Sequence, residues 1–227
     1  MSRMFLIEGN PMGTCNCFVG CGFECTYCSA RKAALTRFKH LPQFKDGFTP
    51  HFIPERLSRR FKPGEFVFIA YNGDISFAAL DEIGLILDRI RLFPETDFLF
   101  CTKDPACYLL WQEAGLEIPS HVYLGATIET TIDYGLSKAP VPSRRYTAMV
   151  QLNHPKKFIS VEPIMDMDMG KFFFWMRDIQ PSIIEVGADN YHNGLTEPKW
   201  DEVQFVLEKV RKFCPNVISK PGLERLK

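Results

Sequence analysis

Apolar residues along this chain come in short unbroken runs, separated by longer stretches in which they recur every three or four positions. Phe66–Tyr71, Phe98–Cys101, Val122–Ile128, Phe158–Val161 and Ile183–Val186 are rich in β-branched and aromatic side chains. Runs of that length and composition predict strands buried on both faces. A weaker signal at Asn16–Val19 marks the end of a first strand, and Asn216–Ser219 marks a short last one. Between the runs, Ile83, Leu87 and Ile90 share one helical face, as do Trp200, Val203, Leu207, Val210 and Cys214. Pro198 falls where an early helical position accepts it. Tyr27–Phe38, Pro105–Ala114, 143–151 and 170–178 are further helical stretches.

Strands alternating with helices predict a parallel sheet with helices outside. Six βα units are fewer than the eight of a full barrel. The expected fold is therefore α/β, a partial (βα)6 TIM-like barrel forming a single compact domain over residues 1–227. In such folds functional groups gather at the C-terminal ends of the strands.

Composition narrows the function classes. The 227 residues are 46% hydrophobic and 24% charged, which excludes disordered, collagen-like and coiled-coil chains. Lys+Arg and Asp+Glu each number 27, so a global basic surface for nucleic acid is absent. No apolar run approaches the ~20 residues a spanning helix needs. Met1–Glu8 lacks the apolar core of a leader, and a cytoplasmic location is expected.

Five of the eight cysteines, Cys15, Cys17, Cys21, Cys25 and Cys28, fall within one loop at about 15–30. Clustering in a chain that is neither short nor evidently secreted reads as a metal site rather than a disulfide scaffold. Cys21, Cys25 and Cys28 are spaced C-x3-C-x2-C. If Cys25 and Cys28 enter a first helical turn they share a face. Gly20 and Gly22 let the backbone wrap closely round an inorganic core. Three thiolates can hold three irons of a four-iron cluster and leave the fourth open. A zinc knot built from four of the five cysteines is the alternative. Cys15 and Cys17 are not needed for a three-thiolate cluster; buried thiols, a redox pair or further ligands all remain open for them.

The run Asn16-x3-Gly20-Cys21-x3-Cys25-x-Tyr27-Cys28-x-Ala30 resembles the motif of the radical S-adenosylmethionine (radical SAM) enzymes. It is closest in pattern to a small, phage-associated branch and is also similar to the spore photoproduct lyase-like branch. Asn72-Gly73-Asp74-Ile75, Thr102-Lys103-Asp104-Pro105, Gly125-Ala126-Thr127-Ile128-Glu129 and Ser160-Val161-Glu162-Pro163-Ile164 extend the resemblance over about residues 12–222. It implies a [4Fe-4S] cluster on Cys21, Cys25 and Cys28, with Tyr27 beside it and S-adenosylmethionine on the open iron. Asn72, Gly73 and Asp74 would receive the methionyl amine; a strand-ending turn is the plainer reading of that segment. Thr127, Glu129, Ser160 and Glu162 would meet the ribose, and Val186, Gly187 and Ala188 the adenine. Reductive cleavage, fed by an external flavodoxin- or ferredoxin-like donor, would yield a 5′-deoxyadenosyl radical that abstracts hydrogen from a substrate.

The substrate is less defined. Residues 31–62 carry nine Lys/Arg against Asp46 and Glu55, a local +7 that suits a nucleotide, a nucleic acid or an acidic reductase, or simply a solvated connection. Lys220, after the last strand, is a candidate catalytic group at the barrel mouth. Cys101 is a second, as a thiol able to return a hydrogen atom. Asn190, Tyr191 and His192 are expected to line the pocket. Two other classes stay open: a zinc-stabilised binding module without catalysis, and a cluster-bearing electron-transfer or regulatory protein.

Overall fold

The computed structural model describes residues 6–7 and 10–227; residues 1–5 and 8 of the segment read above as lacking a leader lie outside the described residues. Seven strands form one sheet: β1 (Gly13–Cys15), β2 (Phe66–Ile69), β3 (Asp97–Thr102), β4 (Val122–Thr127), β5 (Lys157–Val161), β6 (Ile183–Val186) and β7 (Asn216–Ser219). Their order in space is their order in the chain, and every neighbouring pair is parallel. Six helices connect them: α1 (Ser29–Leu35), α2 (Leu80–Arg91), α3 (Ala106–Glu113), α4 (Pro142–Gln151), α5 (Met169–Ile179) and α6 (Trp200–Val210). Parallel crossovers share one hand. A strictly sequential order therefore carries every helix to the same face, and the twisted sheet curls into a half-barrel. Six βα units closed by a seventh strand make up the expected partial barrel.

The period-two alternation within each strand explains the unbroken apolar runs. Val67, Ile69, Phe98, Phe100, Leu124, Ala126, Ile159, Val161, Ile184 and Val186 point outward. They pack against Ile83, Leu87, Tyr108, Trp111, Met149, Phe172 and Val206 of the helices. Phe66, Leu99, Phe158 and Ile183 point inward and plug the lumen floor with Phe68, Tyr123 and Ile218. With both faces apolar, a strand shows no polar alternation until its C-terminal end, where Thr127, Ser160 and Glu185 take the inward positions.

Three boundaries differ from expectation. The first sheet strand is Gly13–Cys15, not Asn16–Val19. After Cys15 the Asn16 side chain accepts from the Asn72 N–H at 2.8 Å, and Phe18–Val19 pairs antiparallel with His51–Phe52 outside the main sheet. Helix α1 begins at Ser29 rather than Tyr27, because Cys28 occupies its N-cap and Tyr27 is drawn towards the lumen. Pro198 precedes the cap of α6: Lys199 holds that place, its N–H donating to Glu202 at 2.7 Å. No described helix is long and apolar enough to cross a membrane.

Candidate functional site

The cysteine loop lies across the C-terminal ends of β2–β4 because backbone atoms pin it there. Gly20 and Gly73 form an isolated parallel bridge. The Gly20 N–H donates to the Asn72 carbonyl, the Asp74 N–H to the Gly20 carbonyl and the Cys21 N–H to the Phe48 carbonyl, each at 3.0 Å. A Cβ at Gly73 would sit 2.8 Å from the Gly20 oxygen and 2.9 Å from the Val19 Cα, so only glycine permits this approach. Gly20 itself has φ +83°, and a Cβ there would meet the Thr49 oxygen at 2.2 Å.

Cys25 and Cys28 are joined by a tight turn, with the Cys28 N–H donating to the Cys25 carbonyl at 3.1 Å, rather than by a shared helical turn. Backbone N–H groups already point at two of the sulfurs: Phe23 N–H to Cys21 Sγ at 3.4 Å and Arg31 N–H to Cys28 Sγ at 3.3 Å. Burial pushes the Cys21 thiol up, aided by Asp74 and by the fields of Cys25 and Cys28. Burial also raises Cys25, while the Lys103 ammonium opposes it. Three soft donors within one another's field, two of them bonded by backbone N–H, fit a three-thiolate iron–sulfur cluster. Among the described residues no three His, Cys, Asp or Glu side chains converge on a single-ion point. Cys15 and Cys17 lie within one another's field, which lowers the Cys15 thiol and raises that of Cys17, and Cys15 Sγ donates to the Arg56 carbonyl at 3.8 Å.

Tyr27 anchors the motif to β4. Its hydroxyl donates to Glu129 Oε1 at 2.6 Å. Lys103 Nζ donates to the same oxygen at 2.6 Å, and Arg145 Nη1 donates to Oε2 at 2.7 Å. Burial alone would raise Glu129, which is 4% exposed, but Lys103 and Arg145 hold it at about 2. The Lys103 ammonium also sits 5.2 Å from the Tyr27 ring centroid. Three donors are therefore already committed to the carboxylate expected to meet a ribose.

Asp74 is similarly occupied. It accepts from the Ser76 N–H at 3.0 Å, the Ser76 hydroxyl at 2.8 Å, the Thr102 hydroxyl, and the Lys103 N–H at 3.0 Å. It ties the end of β3 to the cysteine loop. Asn72 and Gly73 contribute backbone to the same clasp.

A second polar group lines the lumen. Cys101 Sγ lies 3.8 Å from the Thr127 hydroxyl, and burial beside Glu185 raises its thiol. The Ser160 hydroxyl donates to Glu185 Oε1 at 2.7 Å. Lys220 Nζ donates to Glu162 Oε2 and lies 3.9 Å from Glu185 Oε2. Gly187 makes room for Glu162: a Cβ there would meet its carboxylate at 2.6 Å. Val186 and Gly187 spend their backbone groups on Lys220, Val161 and Ile164, and Ala188 is buried. Asn190 Nδ2 donates to the Pro221 carbonyl at 3.1 Å, while Tyr191 and His192 are exposed on the loop after β6.

The expected residues thus divide between two networks. Tyr27, Glu129 and Asp74 surround the cysteine loop; Ser160, Glu162 and Lys220 meet across the lumen. Lys103, Arg145 and Glu185 complete these networks and are not among the residues the sequence points to. Glu185 had a readable signal, a lone carboxylate inside the four-residue strand Ile183–Val186. Of the nine cations in 31–62, Arg56 and Arg59 are structural: Arg56 donates to the Asn16 carbonyl at 2.8 Å, and Arg59 to the Thr14 carbonyl and Glu65.

No family model matches the chain, and no curated protein matches its sequence. Among solved structures it is similar to one described as "Spore photoproduct lyase complexed with dinucleoside spore photoproduct". The TM-score is 0.57 at 11% identity, over 96% of this chain and 79% of that one. That likeness concerns the fold.

Proposed function

We propose that the chain is a radical SAM enzyme, holding a [4Fe-4S] cluster on Cys21, Cys25 and Cys28 and abstracting hydrogen from a substrate seated in the half-barrel. The observation that carries this reading is the placement of the three-cysteine loop. It is clasped by Gly20–Gly73 and Tyr27–Glu129 over the C-terminal strand ends, where this class of fold puts its chemistry. The similar solved structure has the same fold and bears the name of a lyase.

When bound, the cluster and S-adenosylmethionine would supply a 5′-deoxyadenosyl radical through one-electron reduction by an external donor. The chain supplies position and shielding. The backbone N–H groups of Phe23 and Arg31 stabilise negative charge on Cys21 and Cys28. Lys103 holds a cation beside Cys25, which offsets the negative charge that three thiolates bring. Tyr27, fixed by Glu129, fills the space between the loop and β4. Phe66, Leu99 and Phe158 close the lumen floor against water. A nucleotide or nucleic acid as substrate rests on the cations of 31–62 other than Arg56 and Arg59, and on the dinucleoside named with the similar structure.

The test is anaerobic purification and reconstitution. The expected result is about four irons and four sulfides per chain, with 5′-deoxyadenosine released from S-adenosylmethionine on dithionite reduction. Replacing Cys21, Cys25 or Cys28 with Ala should abolish both. One zinc and no sulfide would establish the zinc module instead. A reducible cluster that leaves S-adenosylmethionine intact would establish the electron-transfer reading.

A further inference from the structure

The lumen mouth holds two carboxylates and one amine with an unequal division of bonds. Lys220 Nζ is committed to Glu162. Glu185 is 5% exposed, and its Oε1 receives the Ser160 hydroxyl, but Oε2 is buried with no hydrogen-bond partner. A buried acceptor left unpaired carries a desolvation penalty. The nearest cation is Lys220 Nζ at 3.9 Å, one short side-chain movement away. Glu162 is the more open carboxylate, 27% accessible against 7% for Glu185. Gly187 seats it, since any side chain there would collide with its carboxyl group. The Tyr71 hydroxyl lies within electrostatic reach of Lys220, Tyr191, Glu162 and Glu185. Tyr71 is only partly exposed, so one aromatic ring stands beside the open carboxylate.

We propose that Glu162, beside Tyr71, seats a cationic nitrogen group of the substrate, an alkylammonium or guanidinium, and that Lys220 then steps onto Glu185 Oε2. The exchange leaves every charge paired: the incoming cation takes Glu162, and the displaced ammonium closes its 3.9 Å ion pair with Glu185 Oε2 into a direct hydrogen bond. The inference rests on the radical-enzyme reading only for the word substrate; the seat itself is independent of the cluster.

The groups facing Glu185 are Ser160 and Glu162 from β5 and the turn after it, Lys220 after β7, Tyr71 after β2, and Cys101 on β3. Burial, with Glu162 adding to it against Lys220, pushes Glu185 up to about 7. A direct bond from Lys220 favours its ionised form. Binding of a cation therefore releases a proton near neutrality and strengthens as pH rises through 7.

The experiment titrates the full chain, purified without oxygen, with n-butylguanidine and with its neutral near-isostere n-butylurea by calorimetry. Expected are butylguanidine binding about tenfold tighter at pH 8 than at pH 6, and no measurable urea binding. E162Q should weaken the guanidine at least tenfold. E185Q should remove the pH dependence. If E162Q does not fold, E162D serves, since the shortened carboxylate withdraws from the seat and should also weaken binding. Equal binding of urea, a flat pH profile in the parent chain, or undiminished binding in the folded Glu162 variant overturns the proposal. A chain that carries the cluster but does not bind butylguanidine refutes the seat alone. A chain that lacks the cluster but binds as described refutes the radical reading alone.

Discussion

Glu129 offers the sharpest test of how the cysteine loop is held to the barrel. Its carboxylate receives Tyr27, Lys103 and Arg145 in a pocket where Lys103 and Arg145 are 12% and 3% accessible. The folded carboxyl sits at about 2 against an ordinary 4.5. A depressed carboxylate contributes stability that is fully present above the unfolded value and is lost as pH falls through the folded one. The difference corresponds to about 3 kcal/mol, of which about 2 kcal/mol should disappear between pH 5 and pH 3. E129Q removes that titration and also leaves two buried cations facing an uncharged amide. Breaking such a buried network costs about 3–5 kcal/mol near neutrality. Urea unfolding from pH 7 to pH 3 measures both effects. The variant should be much less stable at pH 7, and the gap to the parent should narrow by about 2 kcal/mol between pH 5 and pH 3. A constant gap across that range would refute the assignment, whatever the loss at pH 7.

Other elements yield narrower expectations. G73A places a Cβ within 2.9 Å of the Gly20 and Val19 backbone, and should cost about 1–3 kcal/mol in thermal unfolding and lower the iron retained on reconstitution. Unchanged melting and iron content would show that the loop is held by other contacts. Y27F removes one hydrogen bond to an ionised carboxylate and should cost about 1.5–3 kcal/mol, read by urea midpoints, with the thiolate set intact. F158A empties the lumen floor and should cost about 3–5 kcal/mol by the same assay. Tyr108 is fully buried and donates to the Gly125 carbonyl at 2.9 Å, so Y108F should lose about 1 kcal/mol or somewhat more.

What the sequence made legible follows from which signals are local. Strands β2 to β6 are continuous apolar runs because both faces of the sheet are covered, and continuity is visible without knowing the partners. The cysteine spacing is equally local. Strand β1 lies three residues before its expected place because Gly13-Thr14-Cys15 has almost no strand character of its own. It is recruited by β2, through Thr14 opposite Phe68, while the more apolar Phe18–Val19 finds His51–Phe52. Tyr27 and Glu129 each carry a signal of their own, yet a separation of 102 positions conceals that they bond each other. Lys103 and Arg145 look like ordinary surface cations until the fold turns both onto one buried carboxylate. Glu185 is masked by the isoleucines and valine that give its strand an apolar pattern.

The sheet runs from β1 to β7 without the two end strands pairing. A closed ring admits a guest through one rim only and must swallow a loose end. A crescent has a slit along its whole height. A long polymer can lay an interior stretch against the lumen wall while its two ends continue outside, so the size of a guest is limited by the group it inserts rather than by the molecule that carries it.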